Sequence, residues 1–211
     1  MQLFGLDTCP EKAAAQLANV HVNSQVREST QLLFSALHAW GVPLPATIDA
    51  GDRGVVAVYR PTHVHHPLTL WTQAARAHAN WVLRHALALA ALYTTKSGGK
   101  VHLCEWHLRA WKRIVDANDV AHVPETVDPE AWLASLEAPK RDALRSRVAT
   151  VHPPEGCAFG IVALAVVGPM RADACDWTST YREAYEVKSL ALNFQFGAFA
   201  AASRKRARES R

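Results

Sequence analysis

The chain has 211 residues, 49% of them hydrophobic, with a formal charge of +4 and an isoelectric point near 9.0. That composition supplies one well-buried domain and excludes a disordered chain. The basic balance favours an anionic partner, and no apolar run approaches the ~18 residues of a membrane span.

Asp7-Thr8-Cys9-Pro10-Glu11 reads as a helix start: a capping side chain, a proline in the first turn and an acid at the positive end of the dipole. The helical pattern then runs to about Trp40, with a bend near His21, and Gly41-Val42-Pro43-Leu44-Pro45 stops it. Residues 46–66 are irregular, with turn signals at Asp49-Ala50-Gly51-Asp52 and an extended run from Val55 to Tyr59. Pro67 opens a long helix to about Thr95, closed by Ser97-Gly98-Gly99; Trp71, His78 and His85 recur at seven and share a face of it. A further helix covers about Leu103 to Ala117. Asp128-Pro129-Glu130 starts a short one, and Pro139 starts another that ends near Thr150.

Pro153-Pro154-Glu155-Gly156 is a loop, and the apolar run Phe159–Val167 is a buried helix turn or a strand. A last helix begins near Asp176 or Thr178 and carries Tyr181, Tyr185 and Lys188 at i, i+4 and i+7. The tail Arg204-Lys205-Arg206-Ala207-Arg208 is a solvated end or a phosphate contact. The expected fold is all-α: one compact multi-helix domain over residues 1–200, short strands at most, and a basic C-terminal tail over 201–211.

His21 and Glu28 are seven residues apart, nearly two helical turns, so imidazole and carboxylate project from one face. Apolar residues frame them on both sides: Leu3, Leu6, Ala14, Leu17 and Ala18 before, Leu32, Leu33, Ala36 and Leu37 after. They form either a surface pair that shares a stripe or a site with Asp7 and Arg27. A second cluster is Tyr59-Arg60-Pro61-Thr62-His63-Val64-His65-His66-Pro67, where three imidazoles enter a helix whose first N–H groups favour an anion. A third joins Tyr181, Arg182, Tyr185 and Lys188. Carboxylate, imidazole, guanidinium and ammonium groups suffice for acid–base work on an anionic substrate. Each cluster also has a plain structural use: His63 and His66 as caps, the tyrosines as packing, Arg27 with Glu28 as a surface pair.

The four cysteines form no Cys-x-x-Cys pair, which excludes the zinc-ribbon and thioredoxin patterns. His102, Cys104 and His107 have loose metal-ligand spacing. There is no glycine-rich phosphate loop, nucleophile elbow or dinucleotide fingerprint. The N-terminus shows no basic region followed by an apolar stretch, so a cytoplasmic setting is expected.

Taken in order, several motifs resemble a family of phage-encoded pyrimidine-dimer DNA glycosylase-like proteins. They are Leu6-Asp7-x-x-Pro10-x-x-Ala13-Ala14, His21-Val22…Glu28-x-x-Gln31-Leu32-Leu33, Pro61-Thr62-His63-x-x-His66-Pro67-x-x-x-Trp71, Trp81-x-x-x-His85, Gly98…Lys100-x-His102 and Tyr181-Arg182-x-x-Tyr185-x-x-Lys188. Ala18, His21, Arg27 and Glu28 match the Ala-x-x-His…Arg-Glu helix of the compact phage pyrimidine-dimer glycosylases. The resemblance implies an all-helical fold, double-stranded DNA as partner, the cytoplasm of an infected bacterial host, Glu28 as catalytic carboxylate and Arg27 as a DNA or site contact.

One departure changes the chemistry that the resemblance implies. The glycosylase nucleophile is an α-amine 21 positions before the glutamate, and that position here is Asp7. An aspartate forms no imine, whereas a second carboxylate suits deprotonation of an incoming nucleophile. The resemblance then points to a thymine-hypermodification branch, the amino-acid:DNA transferases. These join an amino acid, glycine being the simplest, to phosphorylated 5-hydroxymethyluracil flipped from the duplex. Glu28 or Asp7 would take the amine's proton. His63, His66, Arg60 and Lys188 would stabilise the departing phosphate. Arg27 or Arg182 would hold the amino acid's carboxylate, and His21, Tyr181 and Tyr185 would line the substrate site. Lys96, Lys100, Arg204, Lys205 and Arg206 would meet DNA. Cys9 is a transient nucleophile or a structural thiol. The chemistry calls for no metal and no cofactor. Two alternatives stand beside this reading: a pyrimidine-dimer glycosylase, and a non-catalytic DNA-binding protein on the same scaffold.

Overall fold

The computed structural model describes residues 3–7 and 9–138, together with the strand residues 148–150 and 161–163. Helices dominate, as expected: α1 (Pro10–Ala15), α2 (Asn19–Ala39), α3 (Pro67–Ala74), α4 (Arg76–Lys96), α5 (Leu103–Ala117) and α6 (Pro129–Ser135). The strands are short antiparallel pairs, β1 (Thr47–Asp49) with β2 (Val55–Ala57) and β3 (Val148–Thr150) with β4 (Ile161–Ala163).

α2 is the central element. Leu32, Leu33, Phe34, Ser35, Ala36 and Leu37 are buried in succession, so this stretch is enclosed on all sides rather than along one stripe. α3, α4 and α5 pack around it, and α1 packs on α4. Arg84 reaches across the α1–α4 interface to Glu11 with two bonds, of 2.8 and 2.9 Å. α5 is amphipathic in the ordinary way, burying Cys104, His107, Leu108 and Trp111 at helical spacing. The Trp111 indole donates to the Leu33 carbonyl at 2.9 Å.

The terminators behave as their chemistry demands. Gly41 takes a left-handed φ of 69°, and the Val42 N–H closes back onto the Leu37 carbonyl at 3.0 Å. Gly98 and Gly99 do the same after α4, where the Gly99 N–H reaches the Thr94 carbonyl at 2.9 Å. Asp128 caps α6 through the Ala131 N–H. In the β1–β2 turn, Gly51 has φ 59°, and a Cβ there would meet the Trp106 ring at 2.7 Å, so a side chain at this position would be strained and crowded at once.

Three expectations need correction. The first helix does not run unbroken to Trp40: it stops at Ala15 and resumes at Asn19, with Ala18 extended. No glycine or proline marks the break; Leu17 and Ala18 turn into the core and let α1 lie on α4. The second long helix is likewise two, separated by Ala75 at φ −150°, ψ 151°. Here the chain after α5 supplies what the break removes. The Pro124 and Glu125 carbonyls accept from the Arg76 and Ala77 N–H groups at 2.9 and 3.0 Å, and the Trp40 indole donates to the freed Gln73 carbonyl at 2.8 Å. Finally, Val148–Thr150 is a strand rather than a helix end, in keeping with its β-branched content, and Ile161–Ala163 pairs with it.

The buried histidines divide into two kinds. His78 stacks on Trp71 across the Ala75 break at 4.4 Å and donates from Nδ1 to the Trp71 carbonyl at 2.8 Å. His85 stacks on Trp81 at 5.0 Å, but neither of its ring nitrogens has a hydrogen-bond partner among the described residues. Burial pushes its pKa down to about 3, against a small opposing pull from Glu11. The folded form therefore binds fewer protons than the unfolded chain below pH ~6.5. His85 contributes its full stability above that pH and loses it as the pH falls toward 3, at up to ~1.4 kcal/mol per unit. Urea unfolding from pH 7 to 4.5 is expected to show a shallower decline for His85→Leu than for the natural chain. Equal declines would show that another group carries the acid sensitivity.

Candidate functional site

His21, Glu28 and Ser35 repeat at seven along α2 and mark one strip of its surface, with ~10 Å between successive members. Each end of this strip is held by a different part of the chain. At the start, the Phe4 ring lies against His21, centroids 4.9 Å apart. That packing brings the buried segment Leu3–Leu6 onto the first turns of α2, and Asp7 follows directly, half-buried. The Asp7 carboxylate accepts from the Cys9 N–H at 2.9 Å, which sets the entry into α1.

At the far end, the Ser35 hydroxyl donates to the Thr62 carbonyl at 3.2 Å and accepts from the Thr62 N–H at 3.1 Å. This pair of hydrogen bonds clasps the loop Pro61–His66 to α2. The loop then turns sharply: His63 has a left-handed φ of 51°, and the His66 N–H bonds its carbonyl at 2.8 Å. A non-glycine residue in that region stores strain. The His63 and His66 rings are 6.5 Å apart. His66 caps α3, its Nδ1 accepting from the Leu68 N–H at 3.2 Å. His63, His65 and Arg60 are exposed. Glu28, half-buried, lies midway between the two flanks.

Arg27 belongs elsewhere. One residue is ~100° of helix rotation, so Arg27 leaves the Glu28 strip and joins Asn23, Thr30 and Phe34 on the face toward α5. There the His102 ring is fixed at both nitrogens. Its Nδ1 accepts from the Cys104 N–H at 3.1 Å, so the proton sits on Nε2 and is donated to Asn23 Oδ1 at 2.8 Å. Burial lowers the pKa of His102, and the Arg27 and Arg53 charges lower it further. The Tyr59 hydroxyl lies 3.4 Å from the Cys104 sulfur. Burial first, and then this contact, push the Tyr59 phenol well above its usual range. Burial also raises the Cys104 thiol. His107 donates from Nε2 to the Ala57 carbonyl at 2.9 Å and meets the Tyr59 ring edge-on. The loose ligand spacing of His102, Cys104 and His107 is thus explained by capping and packing. Among the described residues no three of His, Cys, Asp and Glu gather as metal ligands.

The structure therefore holds the Phe4 segment at His21 and the Pro61–His66 loop at Ser35, with Glu28 between them by helical spacing, and turns Arg27 to another face of α2. Lys96 and Lys100 are exposed on either side of the Gly98–Gly99 turn. Tyr181, Arg182, Tyr185, Lys188, Arg204, Lys205 and Arg206 lie outside the described residues, as does the expected boundary at residue 200. The reading from sequence missed Ser35, Asn23 and Thr30. The i, i+7 recurrence of His21, Glu28 and Ser35 is visible in the sequence, but no local pattern reveals what Ser35 holds. Among the described residues no helix is long and apolar enough to cross a membrane. No protein-family model, curated protein or solved structure matches the chain.

Two expectations follow. Ser35→Ala removes both bonds to Thr62 at a cost of about 1–3 kcal/mol. Amide exchange over residues 61–66 should then accelerate several-fold while α5 keeps its protection. Alkylation followed by peptide mapping should label the half-exposed Cys9 well before the buried Cys104; labelling at equal rates would contradict this packing.

Proposed function

We propose that this chain is an enzyme that modifies a pyrimidine base in double-stranded DNA by transferring an amino acid to it. The substrate in this reading is phosphorylated 5-hydroxymethyluracil turned out of the duplex, and the donor is glycine. The observation that carries it is the His21–Glu28–Ser35 strip. Glu28 falls on that strip between the segment that leads to Asp7 and the clasped loop that carries His63 and His66, groups of the types that acid–base chemistry on an anionic leaving group uses. The motif resemblance supplies the substrate class, and the all-α fold agrees with it.

In the reaction the glycine nitrogen attacks the exocyclic methylene carbon of the base. A C–N bond forms as the C–O bond to phosphate breaks. Phosphate leaves with the bonding pair, and the ammonium proton passes to Glu28. Asp7 offers a second carboxylate on the N-terminal side of the strip. His63 and His66 donate to the departing phosphate from the clasped loop, with Arg60 beside them. Because Arg27 lies on the α5 face, the donor's carboxylate falls to Arg182 in this reading.

The test is nucleoside mass spectrometry after incubation with glycine and duplex DNA carrying the phosphorylated base. The expected product is a nucleoside bearing glycine through nitrogen. Glu28→Gln should lower its rate by at least ~10²-fold, the usual scale for a lost general base, with duplex affinity unchanged. Nicking of irradiated DNA, with a borohydride-trapped adduct, would instead identify a dimer glycosylase. Affinity for DNA with no product from either substrate would identify a binding protein.

A further inference from the structure

Four cations of the described surface lie on acids. Arg76 lies on Glu125, Arg84 on Glu11, Arg109 on Glu105 and Lys112 on Asp116. Arg27, Arg53 and Lys100 have no such partner among the described residues, and they converge. Arg53 donates from Nη2 to the Val101 carbonyl at 3.2 Å, which sets it beside Lys100. The Ser97 hydroxyl donates to the Lys100 carbonyl at 3.0 Å, tying that lysine to the Gly98–Gly99 turn. Arg27 arrives from α2, one turn beyond the Asn23 that holds His102, and its charge and that of Arg53 both act on the His102 ring. Three exposed cations thus come from α2, from the β1–β2 turn and from the α4–α5 turn. Among the described residues, none of the nearby acids forms an ion pair with them. Glu105 is engaged by Arg109, and the Asp49 carboxylate accepts from the Gly51 N–H. Asp49, which keeps its charge, and Asp52, next to Arg53, are the remaining counter-charges on that turn, against three cations. Like charges gathered this way repel, and an external polyanion relieves the repulsion.

We propose that Arg27, Arg53 and Lys100 form a docking surface for the phosphate backbone of a nucleic acid. The choice of duplex DNA as that nucleic acid rests on the function proposed above. The surface lies on the face of α2 adjacent to Glu28, so a duplex seated there borders the His21–Glu28–Ser35 strip. Two guanidinium groups suit phosphate oxygens through paired donors, and the lysine adds a point charge.

Fluorescence anisotropy of a labelled duplex across a salt series tests this. Every phosphate that the protein no longer neutralises lowers the slope of log affinity against log salt by ~0.9. The Arg53→Gln, Lys100→Gln double variant should therefore lower the slope by ~2, and adding Arg27→Gln should bring the reduction to ~3. Lys12→Gln, at an exposed position of α1, should leave it unchanged. Because Arg53 also bonds backbone, Lys100→Glu alone serves as a second variant and should weaken binding at low salt by at least ~10-fold, with the helical circular dichroism intact. Duplex binding with a natural slope in all these variants overturns the surface and leaves the function standing. Failure of the natural chain to bind duplex DNA overturns both. Binding to vesicles of phosphatidylserine and phosphatidylcholine in preference to DNA, abolished in the same variants, overturns the nucleic-acid assignment.

Discussion

The enclosure of α2 governs the architecture. A helix buried all round from Leu32 to Leu37 needs neighbours on every side, and they come from α3, α4, α5 and the Pro61–His66 loop. To surround it, the chain must break helices that local propensity would continue. The breaks at Gln16–Ala18 and at Ala75 are the result. Each exposes backbone groups that would be costly to bury alone. At Ala75 they are taken up by His78 of α4 itself and by Pro124, Glu125 and Trp40 from outside the helix pair, so tertiary contacts hold the break.

Because α2 is central, its polar residues project toward different neighbours and acquire different roles. His21, Glu28 and Ser35 face the N-terminal segment and the histidine loop. Asn23, Arg27 and Thr30 face α5 and the segment after β2. Arg27 and Glu28 are adjacent in sequence yet serve different surfaces, since one step along a helix is more than a quarter turn around it. Glu28 of the proposed chemistry and Arg27 of the proposed docking surface lie on neighbouring faces of one helix. The helix fixes the relative position of these two residues, while the loop and turns bring the others.

The histidines show how burial sorts a residue that composition alone leaves ambiguous. His66 and His102 cap helices through Nδ1, and His78 and His107 donate to backbone carbonyls. Such bonds settle the tautomer and fix each ring in place. His85 differs: it is packed against Trp81 in an apolar setting and is held neutral by that setting. The clasped His63, left-handed and exposed, is the imidazole on which the loop concentrates its strain.

Much of the secondary structure is legible from residues alone. Gly41-Val42-Pro43, Ser97-Gly98-Gly99 and Asp128-Pro129 act locally, through backbone freedom and side-chain capping, so their effects do not depend on distant segments. The all-α class and the shared face of His21 and Glu28 follow equally from helical periodicity. The two breaks are not legible, because the sequences around Ala18 and Ala75 contain no breaker and the cause lies in Leu17 packing and in carbonyls of residues 124 and 125. Nor is the clasp of Ser35 on Thr62, the separation of Arg27 from Glu28, or the gathering of Arg53 with Lys100. Local chemistry thus dictates which segments are helical, where they end when glycine, proline or an aspartate cap marks the place, and which side chains share a helix face. Which of those faces meet is a property of the folded chain, because hydrogen bonds and charges between distant segments depend on how the core closes around α2.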